Sequence, residues 1–347
     1  MKNTMKAVVN YAREPDCVEL REVPIPEYGD NEVLLRVDAV GICGSELHQW
    51  KATHSWPVNY PCALGHEFGG VIIEKGASVS HFECGDRVVS ETAAVIDPFS
   101  SYSRQGLYNL DPSRLGFGYG VDGAMAEYVA VPERCLHDIP DELPIERAAL
   151  TEPCCVAYNA VCMQTLIRPG DHVVILGPGP IGLFCALMAK LAGAGCLIVA
   201  GLPSDAKRLA VAREIGADIA LDGGLHEYVK EMGDGMGVDA VIDATGVSAT
   251  LKTSLEIVRP AGQITKVGWG PQPMDFSLDP AVQKAVTIRG SFSHNWPIWE
   301  RVIRLQATGQ LDIGPLMSRI APLEEWHSCF TRMHEADYVK AVLLPQK

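Results

Sequence analysis

The stretch HVVILGPGPIGLFCALMAKLAG, residues 172–193, decides the fold of this chain. An apolar run is followed by a turn rich in glycine and proline and then by an apolar segment of helical length, which predicts a strand, a tight turn and a helix. Its uncharged part, Val173–Ala189, is nearly long enough to span a bilayer. A membrane helix carried through Pro178 and Pro180 would lose backbone hydrogen bonds, so we interpret the stretch as part of an α/β domain.

Residues 177–182, GPGPIG, lie between this strand and this helix and have the spacing G-x-G-x-x-G. Gly177 can form the tight turn, Gly179 lets the backbone approach a pyrophosphate, and Gly182 allows the helix to pack closely. The helix N-terminus also favours the phosphate charge. The pattern could mark an ordinary strand-to-helix turn, but further βα units follow it, so we predict a dinucleotide-binding site.

The end of the second strand bears on the choice between NAD and NADP. An acidic residue there would bind the ribose 2′-hydroxyl of NAD, but Gly201 follows the strand CLIVA. Asp205 comes four positions later with Lys207 and Arg208, so a longer loop offers either a carboxylate to NAD or cations to the 2′-phosphate of NADP. Asp205 could equally be a helix cap, and the pattern favours NAD. The predicted cofactor contacts are Gly177, Gly179, Pro180, Ile181, Gly182, Asp205, Arg208, Thr245 and Val267.

The apolar pattern changes along the chain and predicts two domains. Residues 6–151 contain short apolar runs between Gly, Pro and Asp, which predict an all-β, partly barrel-like half. Residues 171–290 alternate apolar runs with helical stretches, which predicts a doubly wound parallel sheet covered on both faces. Residues 291–347 carry two amphipathic helices and a last strand without a cofactor motif. We predict a discontinuous catalytic domain of residues 1–156 and 291–347 and a Rossmann dinucleotide-binding domain of residues 157–290.

Composition excludes several classes of function. The 347 residues include 29 basic and 43 acidic ones, with a net charge of −14 and no basic run, so nucleic acid is an unfavourable partner. The start of the chain, MKNTMKAVVNYAREPD, has no apolar signal core, and we expect a cytoplasmic protein without a membrane anchor. Eleven cysteines without a C-x-x-C pair indicate core thiols or metal ligands in a reducing compartment. A cleft between the two domains is the expected site.

Three separated segments of the first half offer side chains that bind metals. Cys43 lies in GICGSELH, His66 lies in GHEFGG, and Glu152 lies much later. Catalytic zinc needs three protein ligands of N, S or O type and one open position. Each residue could instead be a core thiol, a buried imidazole or a carboxylate at a helix start. The residue types favour zinc, but their spacing alone does not establish it.

Seven motifs make the sequence resemble a known family over essentially its whole length. It is similar to the zinc-dependent medium-chain alcohol dehydrogenases, especially the polyol branch that includes sorbitol and L-iditol dehydrogenases. The resemblance implies a GroES-like, partly open β-barrel catalytic domain beside the Rossmann domain. The motifs, in family order, are GICGSELH (41–48), GHEFGGVI (65–72), GDRV (85–88), DGAMAEYVAVP (122–132), TEPCCVA (151–157), GPGPIGL (177–183) and DATG (243–246).

The resemblance also implies roles for individual residues. It assigns a catalytic zinc to Cys43 and His66, with Glu152 bound directly or through water, while Cys154 and Cys155 offer a lesser alternative for the third ligand. Further implied residues are Glu67 as an outer or exchanging metal ligand with a catalytic role, and Ser45 and His48 as a relay that carries the alcohol proton towards solvent.

Two departures from the family refine the expectation. Many members bind a structural zinc through four cysteines, where this chain has Asp97, Ser100, Ser103 and Asp111, so we predict one zinc per chain. In sorbitol dehydrogenase a tyrosine and an arginine–tyrosine pair occupy the positions of Gln49, Ser293 and His294, which puts sorbitol itself in doubt. The candidate substrate-pocket residues are Gln49, Trp50, Phe117, Ser293, His294 and Trp296, although the aromatic ones could serve packing alone.

The combined pattern predicts a zinc-dependent oxidoreductase that transfers hydride from a secondary hydroxyl of a polyol to NAD and forms a ketone. One alternative is an NADP-dependent carbonyl reductase on the same scaffold. Another is a catalytically silent, dinucleotide-binding regulatory protein, but such a protein would not need the complete set of metal and relay residues. The family resemblance implies a homo-oligomer, either a dimer or a tetramer.

Overall fold

The apolar pattern changes beyond Glu152, and the fold changes with it. The computed structural model describes residues 3–347, so Met1 and Lys2, which belong to the predicted first domain, lie outside the described residues. The described chain forms two units. Unit 1 contains the residues up to Glu152 together with Asn295–Gly309 and Met317–Lys347, and unit 2 contains Pro153–His294 and Gln310–Leu316.

The sequence predicts a division of the chain after residues 156 and 290, and the structure divides it after residues 152 and 294. Residues 310–316 are predicted in the catalytic domain but group with unit 2. They include a short 3₁₀ turn, Gly314–Leu316, whose Leu316 is completely buried. An apolar anchor of this kind is not visible as a pattern in so short a segment.

Antiparallel strands form most of unit 1. Val33, Leu35 and Val37 alternate along one strand and are completely buried, which gives that strand an apolar face. The first strands are β1 (Thr4–Asn10), β2 (Val18–Pro24), β3 (Glu32–Gly41), β4 (Cys62–Ala63), β5 (Glu67–Lys75), β6 (Arg87–Ser90), β7 (Tyr128–Pro132) and β8 (Leu136–Asp138). The helices in this part of the chain are α1 (Gly44–Trp50), α2 (Ile145–Ala148) and α3 (Thr151–Tyr158).

Strand β3 organises the larger sheet of unit 1, because it pairs with both β5 and β7. Strands β3 and β5 approach closely at Gly70, where a Cβ atom would lie 1.9 Å from the carbonyl oxygen of Arg36. The same pairing sets Gly41 opposite Glu67. This pairing brings the end of β3 close to the start of β5. The predicted metal ligand Cys43 follows β3, and His66 directly precedes β5.

The parallel sheet of unit 2 confirms the predicted doubly wound α/β fold. Its strand order is β11-β10-β9-β12-β13-β14, and each neighbouring pair is parallel. This is the order of a dinucleotide-binding fold, with the switch point between β9 and β12. The elements are β9 (His172–Leu176), α4 (Pro180–Leu191), β10 (Cys196–Ala200), α5 (Ala206–Glu214), β11 (Ile219–Leu221), α6 (Leu225–Glu231), β12 (Val238–Asp243), α7 (Ala249–Ile257), β13 (Val258–Lys266), α8 (Asp279–Gln283) and β14 (Thr287–Gly290).

The last part of the chain completes the larger sheet of unit 1. It forms α9 (Trp296–Ala307), β15 (Met317–Pro322), α10 (Trp326–His334) and β16 (Lys340–Leu344). Strand β16 pairs with β15 on one side and with the end of β3 on the other, and all five of its residues are buried. A 3₁₀ turn, Leu323–Glu325, directly precedes α10. No helix in residues 3–347 has the length and apolar character needed to cross a membrane.

Candidate functional site

One thiol, one imidazole and one carboxylate meet where β3 ends and β5 begins. Ligand atoms of Cys43, His66 and Glu67 all lie within 4.8 Å of one another, and we call these three residues the metal-ligand group. Cys43 is the N-cap of α1, and Glu67 is the first residue of β5. The donor set S, N and O is one that zinc accepts. The space for Glu67 depends on Gly41, because a Cβ atom there would lie 2.2 Å from Glu67 Oε2.

Glu46 orients the imidazole of this group, a role that sequence reasoning missed. Its completely buried carboxylate lies with Oε1 2.6 Å from His66 Nδ1, and Oε2 accepts the backbone N–H of Cys43 at 2.7 Å. When His66 donates through Nδ1, its Nε2 is left to bind a metal. Burial lowers the pKa of His66, but the charges and hydrogen bonds of Glu46 and Cys43 raise it well above the ordinary value. The available signal was a carboxylate three residues after a helix N-cap, which is the position of a capping box.

Lys340 is a second missed residue of the site. It is the first residue of β16, and its side chain is 1% exposed. Its ammonium group donates to Glu67 Oε1 at 2.6 Å and to the carbonyl oxygen of Ile42 at 2.6 Å. Burial raises the pKa of Glu67, while the charge of Lys340 opposes that rise. The available signal was a lysine inside the apolar run VKAVLL.

The carboxylate that the resemblance assigns as third ligand lies near the group but not in it. Glu152 is buried at the start of α3. Burial is the main cause of the raised pKa of Glu67; the charge of Lys340 opposes it, and the charge of Glu152 adds to it. Within the described chain it does not belong to the metal-ligand group. Cys154 and Cys155 are completely buried in unit 2 and do not belong to that group either.

The predicted relay residues lie one turn apart on α1. Ser45 Oγ is buried and has no hydrogen-bond partner among the described residues. A buried hydroxyl without a partner is unfavourable, and a substrate hydroxyl would satisfy it. His48 is exposed, and its Nδ1 lies 2.8 Å from Thr53 Oγ1. Thr53 is another residue that sequence reasoning missed. Partial burial and then the charge of His334 lower the pKa of His48.

The glycine motif of unit 2 has the geometry that a pyrophosphate requires. Gly177 has a φ of +91°, and a Cβ atom at Gly182 would lie 1.8 Å from the carbonyl oxygen of Gly177. Gly179 is the N-cap of α4, and no heavy atom lies within 4 Å of its Cβ position. Pro180 and Ile181 are the first two residues of that helix. The turn is therefore tight where the helix packs and open where a phosphate would approach.

Two further predicted contacts lie at the carboxyl ends of the neighbouring strands. Thr245 follows β12 and donates through its backbone N–H and its hydroxyl to Asp243 Oδ1, at 3.0 and 2.7 Å. Val267 follows β13, and its N–H bonds the carbonyl oxygen of Asp243 at 2.9 Å. Asp243 is completely buried and lies 2.9 Å from Lys266 Nζ. This network holds both chain segments beside the switch point, where dinucleotides bind in such sheets.

The loop after β10 brings a carboxylate back to the strand end. Asp205 Oδ2 accepts the N–H of Leu202 at 2.9 Å, so Asp205 does cap the turn before α5. The same oxygen lies 3.0 Å from the Cβ position of Gly201, the residue directly after the strand. Arg208 is half-buried beside it: burial lowers the pKa of Arg208, and the charge of Asp205 opposes this. Carboxylate and guanidinium are therefore both present near the position that distinguishes NAD from NADP.

The structure gives the candidate pocket residues different surroundings. Gln49 is buried and bonded at both ends of its amide, by Asn10 Nδ2 at 3.2 Å and to the carbonyl oxygen of Gly118 at 2.9 Å. The ring of Phe117 packs edge-on against Phe68 with a centroid separation of 5.3 Å. In the remaining positions, Ser293 has a φ of +54° and accepts the side-chain N–H of Asn159, His294 is buried, Trp50 packs against Phe330, and Trp296 is 48% exposed.

The four positions of the absent zinc cysteines form a hydrogen-bonded cluster around one carboxylate. Asp111 Oδ2 accepts the N–H of Asp97 at 3.1 Å and the hydroxyls of Ser100 and Ser103 at 2.9 and 3.1 Å. Asp111 Oδ1 accepts both the N–H and the hydroxyl of Ser113, at 2.9 and 2.8 Å. The bonds from Ser113 are the main cause of a strongly lowered pKa of Asp111. The carboxylate joins the segments that four cysteines and a zinc ion would join.

Comparisons with known proteins agree with this geometry. Residues 29–141 match the alcohol dehydrogenase GroES-like domain, which confirms the predicted GroES-like fold, and residues 180–308 match the zinc-binding dehydrogenase family. D-arabitol-phosphate dehydrogenase of Enterococcus avium is 36% identical over 99% of this chain and 98% of its own. A sorbitol dehydrogenase of Halalkalibacterium halodurans is 35% identical over 98% of this chain and 99% of its own. The crystal structure of a candidate zinc-binding dehydrogenase from Sinorhizobium meliloti 1021, bound to NADP, has a TM-score of 0.90 and 30% identity and covers 99% of this chain and 100% of its own.

Proposed function

Because the chain belongs to the zinc-dependent medium-chain alcohol and polyol dehydrogenases, and is therefore an NAD(P)-dependent zinc alcohol dehydrogenase, we propose that it oxidises a secondary hydroxyl of a polyol to a ketone with NAD. The observation that carries this proposal is the metal-ligand group together with the buried, unpartnered hydroxyl of Ser45, two residues after Cys43. A thiol, an imidazole and a carboxylate suit a metal, and the hydroxyl suits an alcohol.

We place one zinc ion per chain at Cys43 and His66, with the carboxylate of Glu152 or Glu67 as the further ligand. Zinc in such a site supplies Lewis-acid polarisation of a substrate oxygen, the effect that lowers the pKa of water to about 7 in zinc enzymes. The Asp111 cluster supports the absence of a second, structural zinc, because the hydroxyls of Ser100 and Ser103 already donate to the carboxylate of Asp111.

The chain's own side chains then have distinct tasks. Glu46 holds His66 so that Nε2 is directed away from the Glu46 carboxylate. Ser45 would accept the hydrogen bond of the substrate hydroxyl, and His48 would receive the proton nearer solvent. Because partial burial and the charge of His334 lower its pKa, the imidazole of His48 is neutral at neutral pH and can accept a proton. Thr53 holds the opposite ring nitrogen.

The substrate class rests on the relatives. One of them is named for arabitol phosphate and another for sorbitol, so we propose a sugar alcohol or a related small hydroxylated compound. The net charge of −14 disfavours a strongly anionic substrate, which places free polyols ahead of phosphorylated ones.

The test is nicotinamide reduction by the zinc-loaded protein on matched free and phosphorylated polyols, with NAD and NADP in parallel. Turnover of one stereochemical series of free polyols with NAD supports the proposal. Turnover with phosphorylated members alone contradicts the free-polyol assignment, and turnover with NADP alone favours the carbonyl reductase. The absence of turnover with every compound contradicts the assignment of a polyol as the substrate.

NAD is the proposed cofactor because the carboxylate of Asp205 returns to the end of β10, next to Gly201. Asp205→Ala is expected to raise the KM for NAD about 10- to 100-fold, as expected for loss of a charged hydrogen bond to a ribose hydroxyl, and to change that for NADP little. Asp205→Asn is the matched control for charge, because its amide oxygen can still accept the N–H of Leu202. If NAD binds Asp205→Asn as well as it binds the original protein, the charge of Asp205 does not contribute to NAD binding.

We further propose that the enzyme works in the cytoplasm as a homo-oligomer. A reducing compartment is supported by the need of Cys43 for a free thiolate as a metal ligand. The oligomeric state is checked by analytical ultracentrifugation, where a dimer or tetramer is expected and a monomer contradicts the assignment.

A further inference from the structure

A groove of about 680 Å³ opens on the surface of unit 1, and no residue of the metal-ligand group lines it. Its walls come from β1, β2 and β7 and from the loops beside them. The apolar residues of these walls include Met5, Val9, Val23, Ile25, Val95 and Val121. A groove of this size and character is a place where apolar side chains of a partner can be buried.

A short segment next to the groove, residues 95–115, exposes many apolar side chains, and we call it the lobe. Its exposed large apolar residues are Val95, Phe99, Tyr102, Leu107, Leu110 and Leu115. Single exposed apolar side chains are ordinary, but so many in one short segment indicate a contact surface. Val95 also lines the groove and forms a β-bridge with Leu115 at the other end of the lobe. The lobe and the groove therefore adjoin.

Phe99 protrudes furthest from the lobe. It is 76% exposed, more than any other large apolar side chain in the described part of unit 1. Its backbone N–H donates to Asp97 Oδ1 at 2.8 Å, and the N–H of Asp97 donates to Asp111 Oδ2 at 3.1 Å, so the turn that carries Phe99 is fixed. A ring presented on a fixed turn loses little conformational entropy on binding. Because large aromatic side chains often anchor interfaces, Phe99 suits an anchor that enters a pocket.

The lobe and the groove carry opposite charges that are unpaired within residues 3–347. Arg104 lies on the lobe and is exposed, and it forms no ion pair there; its guanidinium carbon lies 5.8 Å from the centre of the Phe99 ring. Glu27 lines the groove and is exposed, and its carboxylate forms no ion pair or hydrogen bond with the described residues. If the lobe of one copy occupied the groove of another, these two charges could pair.

We propose that Phe99 and Arg104 of one copy of this chain bind in the groove of a second copy, with Arg104 against Glu27, and that the second copy binds the first in the same way. The lobe and the groove adjoin at Val95 and form one self-complementary face, and two such faces close into a twofold dimer. The inference rests on the proposed homo-oligomer and deepens it, because it names the surface of contact. The chain supplies both halves of that contact itself.

The test is sedimentation velocity of the full chain over a wide range of concentrations, with the original protein and Phe99→Asp in parallel. A charge on the anchor is expected to raise the dissociation constant of one interface about 30- to 100-fold, so that a dimer becomes a monomer or a tetramer becomes a dimer. Met236→Asp is the matched control, because Met236 is an exposed apolar side chain of unit 2. It should leave the size of the particle unchanged.

Charge reversal tests the pairing of the two copies directly. Arg104→Glu and Glu27→Arg are each expected to raise the dissociation constant about tenfold, because each change places like charges together. The double variant should return the dissociation constant to the original value, since the reversed charges attract again. Both side chains are exposed, so this series keeps the proposal testable if Phe99→Asp does not fold.

An unchanged dissociation constant in Phe99→Asp overturns the proposal and places the contact surface of the oligomer elsewhere. A double charge-reversal variant that is weaker than either single variant overturns it as well. If the original protein is a monomer at every concentration, both this inference and the homo-oligomer are wrong. Sedimentation requires no substrate and no nicotinamide, so failure of the polyol assignment would appear as missing turnover with these changes of size intact.

Discussion

Replacing Cys43 or His66 by alanine is expected to abolish turnover of every substrate while NAD binding is retained. Both residues belong to the metal-ligand group, and loss of either leaves too few protein ligands for a catalytic metal. Lewis-acid stabilisation contributes several kcal/mol, so we expect a decrease in kcat of at least about 1000-fold. The glycine turn that we propose as the dinucleotide site lies in unit 2 and contains neither residue.

The measurement combines steady-state kinetics, metal analysis and titration with NADH followed by its fluorescence. Cys84→Ala and His81→Ala are the matched controls, because both side chains are exposed and lie outside the metal-ligand group. They should keep one zinc per chain and full activity. Undiminished turnover in Cys43→Ala or His66→Ala contradicts the metal assignment, and a loss of NADH binding contradicts the division of tasks between the two units.

Replacing Asp111 by alanine is expected to destabilise the segment of residues 97–111, which contains the four positions where many family members have zinc-binding cysteines. The change removes the acceptor of five hydrogen bonds at once, and their donors on Asp97, Ser100, Ser103 and Ser113 lose their common partner. We expect the Tm to fall by several degrees and the segment between residues 97 and 113 to become sensitive to limited proteolysis. Ser103→Ala removes one donor only and should have a much smaller effect.

The same carboxylate sets the pH dependence of this segment. The pKa of Asp111 is lowered in the folded state, chiefly by the bonds from Ser113. Its stabilising contribution is therefore complete above the unfolded value of about 3.9 and is lost as the pH falls through the folded pKa. The segment should be insensitive to pH across the neutral range and insensitive to chelators. Two zinc ions per chain, or destabilisation of this segment by a chelator, would contradict the hydrogen-bonded account.

Local patterns were sufficient for those parts of the site whose residues are neighbours in sequence. In the turn of residues 177–182, Gly177 has a positive φ, Gly179 has open space at its Cβ position, and Gly182 packs closely against Gly177, as the spacing predicts. All three features depend on a few consecutive backbone angles. The order of apolar runs also predicts the parallel sheet. The cysteine and histidine of the metal-ligand group could be named from their motifs, although their proximity could not.

The partners of those residues could not be read in the same way. Glu46 was visible within the motif of Cys43, yet its contact with His66 exists only because β3 and β5 pair. Gln49 offered an amide for substrate, but Asn10 and Gly118 bind both of its ends in the folded chain. Pairing across a sheet selects such contacts, and no local periodicity records them.

The sequence by itself determined the class of fold, the dinucleotide turn and the types of metal ligand, because these depend on apolar periodicity, on glycine at positive φ and on side-chain chemistry. Only the tertiary structure decided which groups support the ligands and what replaces the structural zinc. Lys340 reaches Glu67 across 273 residues, and Asp111 gathers its donors from separate turns. Such contacts follow from the close packing of distant segments, in which every buried charge and polar group must find a partner.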